Sequence, residues 1–365
     1  MAARTGSTMQ KVADSVGVSV STVSRILNSS TFAKKKTRES VLAAVTNLGY
    51  QGRPRGLALK MDEAAVTRGK PLAHKQIMLF APEQKFGGVD SPDWIFRDVV
   101  PTLHRVLREK GLHLLLASYH EDDAPDLSNL NAEQSCGVLW MADGHGQNQA
   151  LLARIVSCAP VVVINDDSIW PPKACVIGNN RMVMFKAVEH LAGLGHRRIG
   201  YFDALPTAGK LSVHTRERIA ELRQAIESFG LESNSDWIIM ERFGINGHPQ
   251  AVAKAMDHLT AMKSPPTALI APLCYALQFL KEMRERNRCV PEDMSLLAID
   301  NAAVAEMVEP ALTVIDCNFR GCAETAVELL LEQTDPQKRS AKTVLVEPKL
   351  IVRRSTSAIA EAQSQ

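Results

Sequence analysis

MQKVADSVGVSVSTVSRILN, residues 9–28, decides how the chain is read. Val12, Ala13 and Val16 recur at helical spacing and give the first segment, MQKVADSV, one apolar face. Thr8 is placed to cap it. Gly17 follows, where a tight turn needs a positive φ or a close backbone approach. Ser19 then caps a second helix, VSTVSRILN, whose inward stripe is Val23, Ile26 and Leu27. Val20, Ser21, Thr22 and Arg25 are left facing out near its start. A third helix is predicted from about Thr37 to Leu48, with Val41, Leu42, Val45 and Leu48 inward. Three short helices with a glycine turn between the first two describe an all-α helix-turn-helix domain.

The charge around this stretch agrees. Residues 1–60 hold ten Lys and Arg against Asp14 and Glu39, a net of +8. The remaining 32 basic and 38 acidic residues net −6, so the chain total of +2 hides a basic head on an acidic body. A recognition helix enters the major groove with its first residues against base edges. Arg25 can give a bidentate contact to guanine, Ser21 and Thr22 can bond bases or phosphates, and Val20 can touch a thymine methyl. Lys34, Lys35 and Lys36 suit phosphate contacts, which position without reading sequence. The alternative is a small helical bundle that binds protein.

Beyond Ile77 the pattern changes. Short apolar runs, IMLFA, HLLLAS, GVLWM, VVVIN, CVIG, RIGYF, WIIM, ALIA, LLAID, LTVID and KTVLVE, alternate with helix candidates at 94–110, 147–157, 181–194, 216–229, 248–262, 274–286 and 320–333. Alternation of this kind predicts parallel sheets covered by helices. Eleven strands are many for one sheet, so two α/β lobes are expected. The expected layout is a head with hinge at 1–60, a linker at 61–76, a two-lobed body at 77–357 and a tail at 358–365. The lobes are expected to cross over near 165–180 and 300–316.

The 9–28 run, followed by TRESVLAAVTNLGY, closely resembles the heads of the LacI/GalR family of transcriptional repressors, over about 45 residues. Similar stretches in the body are VEHLAGLGHRRIGYF, RCVPEDMSLLAIDN, EPALTVID and LIVRRSTS, which resemble the family's two-lobed, periplasmic-binding-protein-like (type I) effector domain. The resemblance implies base reading by Val20 and Ser21, with Arg25 as the arginine of the V-S-R motif. The DNA-facing set it implies is Ser19, Val20, Ser21, Thr22, Arg25, Asn28, Lys35, Arg53 and Leu59. It also implies a homodimer on pseudo-palindromic double-stranded DNA, with residues 94–110 as candidate dimer surface.

After L-G-Y the family carries a hinge helix whose leucine wedges into the minor groove, and Leu59 falls at that position. Here Gly52, Arg53 and Gly56 replace the family's proline, asparagine and alanine. Glycine weakens a helix by about 1 kcal/mol, so residues 52–75 read either as a hinge or as a flexible tether.

Family ligands sit between the lobes, at the carboxyl ends of the strands. By the resemblance, Asp300 matches an aspartate that accepts sugar hydroxyls and Arg218 the arginine of the effector loop. Asn165 stands where aspartate is common, and Trp94 matches an aromatic that stacks on the sugar face. The competing readings are an interlobe ion pair for Asp300 and Arg218, and core packing for Trp94. Pro272-Leu273, His214 and Glu221 depart from the pattern, so a rebuilt pocket is expected and its ligand class, sugar or sugar acid, is not inherited by analogy.

Other chemistries find little support. There is no G-x-S-x-G and no P-loop, so neither catalysis nor a cofactor is expected. Cys317 and Cys322 lack a second pair, so no metal site is expected, and seven scattered cysteines make no disulfide framework. Apolar runs fall short of the roughly 18 residues that span a bilayer, and MAARTGSTMQKVADS has no apolar signal core. A soluble, cytoplasmic chain is expected. The short polar tail lacks leucine heptads, so a terminal coiled coil is not expected. The leading reading is an effector-controlled, sequence-specific regulator, a repressor. Its rival is a soluble small-molecule-binding protein with a degenerate head.

Overall fold

The computed structural model describes residues 9–20, 22–23, 37, 40–41, 44, 75–82, 94–119, 135–141, 149–165, 174–206, 211–243 and 248–359. The chain divides into two compact units, Met1–Gly69 and Lys70–Gln365.

In the first unit α1 spans Met9–Val16, and Gly17 takes φ +70° to turn the chain. Ser19 Oγ accepts from the Thr22 amide at 3.1 Å, so it caps the second helix. Val12, Ala13, Val23 and Val41 form a fully buried core, joined at its margin by Val16, Val18 and Ala44. Val20 also packs against this core. The expectation that Val20 stands outward is therefore corrected. Its place in the first turn of a short helix, next to the glycine turn, brings its β-branched side chain back over the core. Leu42, Val45 and Leu48 lie outside the described residues.

The second unit holds two six-stranded sheets. Its strands are β1 (Gln76–Pro82), β2 (His113–Tyr119), β3 (Ser135–Met141), β4 (Val161–Ile164), β5 (Ala174–Gly178), β6 (Ile199–Pro206), β7 (Ile238–Phe243), β8 (Ala268–Pro272), β9 (Ser295–Ile299), β10 (Thr313–Asp316), β11 (Thr343–Val346) and β12 (Lys349–Ile351). The N-terminal lobe has the order β11-β5-β4-β3-β1-β2 and the C-terminal lobe β12-β10-β9-β8-β6-β7. Every pairing is parallel except β12 against β10. Parallel strands buried on both faces read as continuous apolar runs. VVVI in β4 and ALIAP in β8 are buried along their whole length.

The covering helices are α2 (Trp94–Glu109), α3 (Gln149–Cys158), α4 (Asn180–Gly193), α5 (Val213–Ser228), α6 (His248–Ala261), α7 (Leu273–Glu285), α8 (Val304–Met307) and α9 (Phe319–Gln333). The α2 and α9 helices pack together on the N-terminal lobe, and α4 and α5 on the C-terminal one. The expected strands and helices recur with bounds shifted by a few residues. Three elements were not expected, α8, the edge strand β12 and a single 3-10 turn at Ser235–Trp237. All are too short to show a period. The α5 helix begins at Val213, three residues before the expected start, because Ser212 Oγ caps the Thr215 amide at 3.1 Å.

The chain passes between lobes three times, after β5, after β10 and after β11. The third passage, between Val346 and Lys349, was not expected. All three leave a strand at its carboxyl end. The carboxyl ends of both sheets therefore meet at the crossings, and this placement makes the crevice.

Candidate DNA interface and effector crevice

On the head, Ser19 is exposed and its hydroxyl lies 2.8 Å from Thr22 Oγ1. The pair fixes the start of the recognition helix and leaves Thr22 half-buried. Ser21, Arg25, Asn28, Lys35, Arg53 and Leu59 lie outside the described residues.

In the body, five chain segments deliver side chains to the crevice. Asn165 follows β4 with φ +67°, and Asp300 follows β9 with φ +78°. Both are left-handed positions at strand ends, where Asn and Asp are the residues that tolerate a positive φ. Asn180 opens α4, and His214, Glu217 and Arg218 stand on the first turns of α5. Cys317 follows β10 and is buried.

These groups form one network. Asn180 Nδ2 donates to Glu217 Oε2 at 2.7 Å and lies 3.2 Å from His214 Nδ1. His214 Nε2 lies 2.6 Å from the Asn165 carbonyl, so it donates to that oxygen and joins the lobes. Arg218 Nε donates to Asn180 Oδ1 at 3.2 Å, and a terminal nitrogen of Arg218 lies 3.9 Å from Cys317 Sγ. Beside it Asp203, only 6% exposed, accepts from Tyr201 Oη, Thr215 Oγ1 and the Ala204 amide at 3.0, 3.0 and 2.8 Å. Burial raises the Asp203 pKa against the pull of Arg218. Burial also opposes the charge on Arg218, yet Cys317, Asp300, Tyr201 and Asp203 together hold its pKa above the ordinary arginine value. The Cys317 thiol is pushed up by burial first and by Asp300 second. Cys274 is pushed up to about 12, again chiefly by burial.

Arg218 and Asp300 were expected to face each other, and the competing reading made them an ion pair. No ion pair joins them. Asp300 Oδ1 is instead buried with no hydrogen-bond partner. A buried carboxylate oxygen without a donor is costly, and this atom is able to accept a hydrogen bond from a hydroxyl or an ammonium. Trp94 opens α2, and its side chain lies outside the described residues. Leu273, in place of a polar family residue, is buried in the lobe core and offers the crevice nothing polar.

Sequence reasoning missed Asn180, Glu217, Tyr201, Asp203 and Thr215. Their polar types in otherwise apolar strand and helix starts were the available signal. His214 was noticed only as a departure. Among the described residues no cluster of His, Cys, Asp and Glu could hold a metal. No helix among them is long and apolar enough to cross a membrane.

The fold and crevice define a class of protein: a helix-turn-helix head followed by a two-lobed, periplasmic-binding-like body. Residues 8–52 match the family described as bacterial regulatory proteins, lacI family, and residues 188–356 match the periplasmic binding protein-like domain. The chain carries a LacI-family helix-turn-helix domain followed by a periplasmic-binding-like domain. It is 25% identical over 361 residues to a PurR HTH-type transcriptional repressor of Mannheimia succiniciproducens, covering 97% of this chain and 99% of that one. Among solved structures, a CelR–cellobiose complex is similar with TM-score 0.63 and 22% identity, covering 96% of this chain and 99% of that one. A lac repressor dimer bound to operator and the anti-inducer ONPF is similar with TM-score 0.62 and 21% identity, over the same shares of the two chains. The protein is a DNA-binding transcriptional regulator with a ligand-binding effector domain.

Proposed function

We propose that the chain is a repressor that binds a pseudo-palindromic operator as a homodimer in the cytoplasm. A small polyol, sugar or sugar acid held between its lobes releases or strengthens that grip. The observation that carries the effector reading is the unpartnered, buried Oδ1 of Asp300 beside the buried guanidinium of Arg218. A hydroxyl can donate to the one, and a hydroxyl or carboxylate oxygen can accept from the other. The His214–Asn165 hydrogen bond already joins the lobes across this point, so a ligand that fits there binds the closed and open arrangements unequally, as an effector must. Asn165 and Trp94 complete the proposed contact set. The similar CelR structure holds cellobiose and the similar lac repressor is a dimer on operator, and both support the same assignment here. Bases are read from Ser21, Thr22 and Arg25, with Lys35 on phosphate and Leu59 in the hinge. The chain works by binding, with no reaction of its own.

The test has two arms. Selection from random duplexes with the full-length protein should enrich a two-fold symmetric site. A thermal-shift screen of sugars, sugar acids and nucleosides should yield a ligand that also alters affinity for that site. Failure to enrich any duplex at low salt would favour the rival binding-protein reading.

A further inference from the structure

An open cavity of about 500 Å³ among the described residues is lined by neither Asp300 nor Arg218. It lies where two of the three interlobe crossings pass. Asp316 and Arg320 line it from one crossing and Lys349 from another. Arg97 and Asp98, near the start of α2, and Glu306 of α8 complete its charged wall.

Each carboxylate in this wall is already engaged. Asp98 accepts from Arg320 at 3.1 Å and Glu306 from Arg353 at 2.7 Å. Asp316 accepts from the Asn318 amide at 2.7 Å and from Asn301 Nδ2 at 3.1 Å. Lys349 stands opposite Asp316 in the β10–β12 register. Its ammonium nevertheless makes no hydrogen bond or ion pair among the described residues. The two long helices α2 and α9 both turn their amino-terminal ends to the cavity, through Arg97 and Asp98 and through Phe319 and Arg320. That end of a helix dipole favours negative charge. With the acids engaged and an ammonium open, the remaining demand of the wall is for an anion.

We propose that this cavity is a second ligand site, separate from the Asp300–Arg218 crevice, and that it takes a small organic anion bearing carboxylate or phosphate groups. Arg97 and Arg320 belong to the N-terminal lobe and Lys349 to the C-terminal one. An anion shared between them bridges the lobes beside two crossing segments. It therefore biases the lobe angle, whether or not the crevice is filled.

The experiment follows thermal unfolding of the full-length protein in sodium citrate and in inorganic phosphate, against sodium chloride of equal ionic strength. The expected result is a saturable rise in midpoint with at least one of the two anions beyond that of chloride. Lys349→Ala should weaken the apparent affinity roughly tenfold. Ala303→Glu, at an exposed position on the cavity wall, adds a repelling carboxylate without breaking any existing pair and should do the same. Asp300→Ala should leave the anion response intact. A rise no larger than that of chloride, or an affinity unchanged in both variants, overturns the site. So does loss of the response in Asp300→Ala with retention in Lys349→Ala, since the anion would then occupy the crevice.

Discussion

The head and the crevice carry function in opposite ways. In the head, the groups proposed to read DNA follow one another along one short stretch of sequence, so spacing alone assigns them. In the crevice the networked groups come from residues 165, 180, 203, 214–218, 300 and 317, and only the fold brings them together. A function written on one helix can be read from its sequence. A function written on the carboxyl ends of several strands needs the topology first.

That contrast predicts where single substitutions bite hardest. In the crevice each group is held by the others, so removing the one unsatisfied acceptor should be decisive. Asp300→Ala should abolish the thermal shift given by any cognate effector, measured by differential scanning fluorimetry. An unchanged shift would remove Asp300 from the site. In the head, contributions should separate. Arg25→Ala should cost about 1–3 kcal/mol of discrimination at one guanine, whereas Lys35→Ala should weaken all duplexes alike. Fluorescence anisotropy on a panel of single-base operator variants distinguishes the two. Equal, sequence-independent losses would contradict the assigned roles.

A smaller effect isolates the local geometry of the head. Ser19→Ala removes the cap on the Thr22 amide and should destabilise the head by about 1 kcal/mol. Ser19→Asp should restore most of this. The readout is the unfolding midpoint together with operator affinity. An operator affinity lost in Ser19→Ala without any loss of stability would mean that the hydroxyl touches DNA instead of shaping the helix.

Much of this was legible in the sequence, and the failures have physical causes. The apolar runs that became β4, β8 and β9 were plain because parallel strands buried on both faces show no polar interruption. The seven longer body helices were legible from their period. Val20 was read as outward from spacing alone, but a β-branched residue beside a glycine turn folds back on a small core. The β12 strand, three residues long, gives no period, and its antiparallel pairing with β10 is a tertiary fact. At the crevice, Asp300 and Arg218 were visible as types in a pattern. Their lack of an ion pair was not, because it depends on Asn180 holding the guanidinium and on a left-handed turn at Asp300.

The acid side of the pH profile sharpens the comparison once more, because it should belong to the body and spare the head. His196 is 3% exposed at the base of the C-terminal lobe. Its Nε2 lies 3.0 Å from Ser295 Oγ and 3.1 Å from the Ser357 carbonyl, and its Nδ1 lies 2.9 Å from Thr267 Oγ1. A carbonyl only accepts, so Nε2 carries the proton and the ring is neutral with Nδ1 as acceptor. Burial lowers the pKa of His196 below its ordinary value of 6.5, and burial does the same to neighbouring His190, bonded at 2.9 Å to Thr356 Oγ1. The folded state therefore binds fewer protons than the unfolded chain in this range. The stabilisation is complete above pH 6.5 and is lost progressively as pH falls toward the folded pKa values. The midpoint of the body should fall between pH 7.5 and 5.5, as roughly pH values spanning that transition, and His196→Gln should flatten the slope while lowering the midpoint at neutral pH. A slope unchanged in that variant, or a midpoint that rises on acidification, would show that the segment at Ser357 is not held by a neutral imidazole.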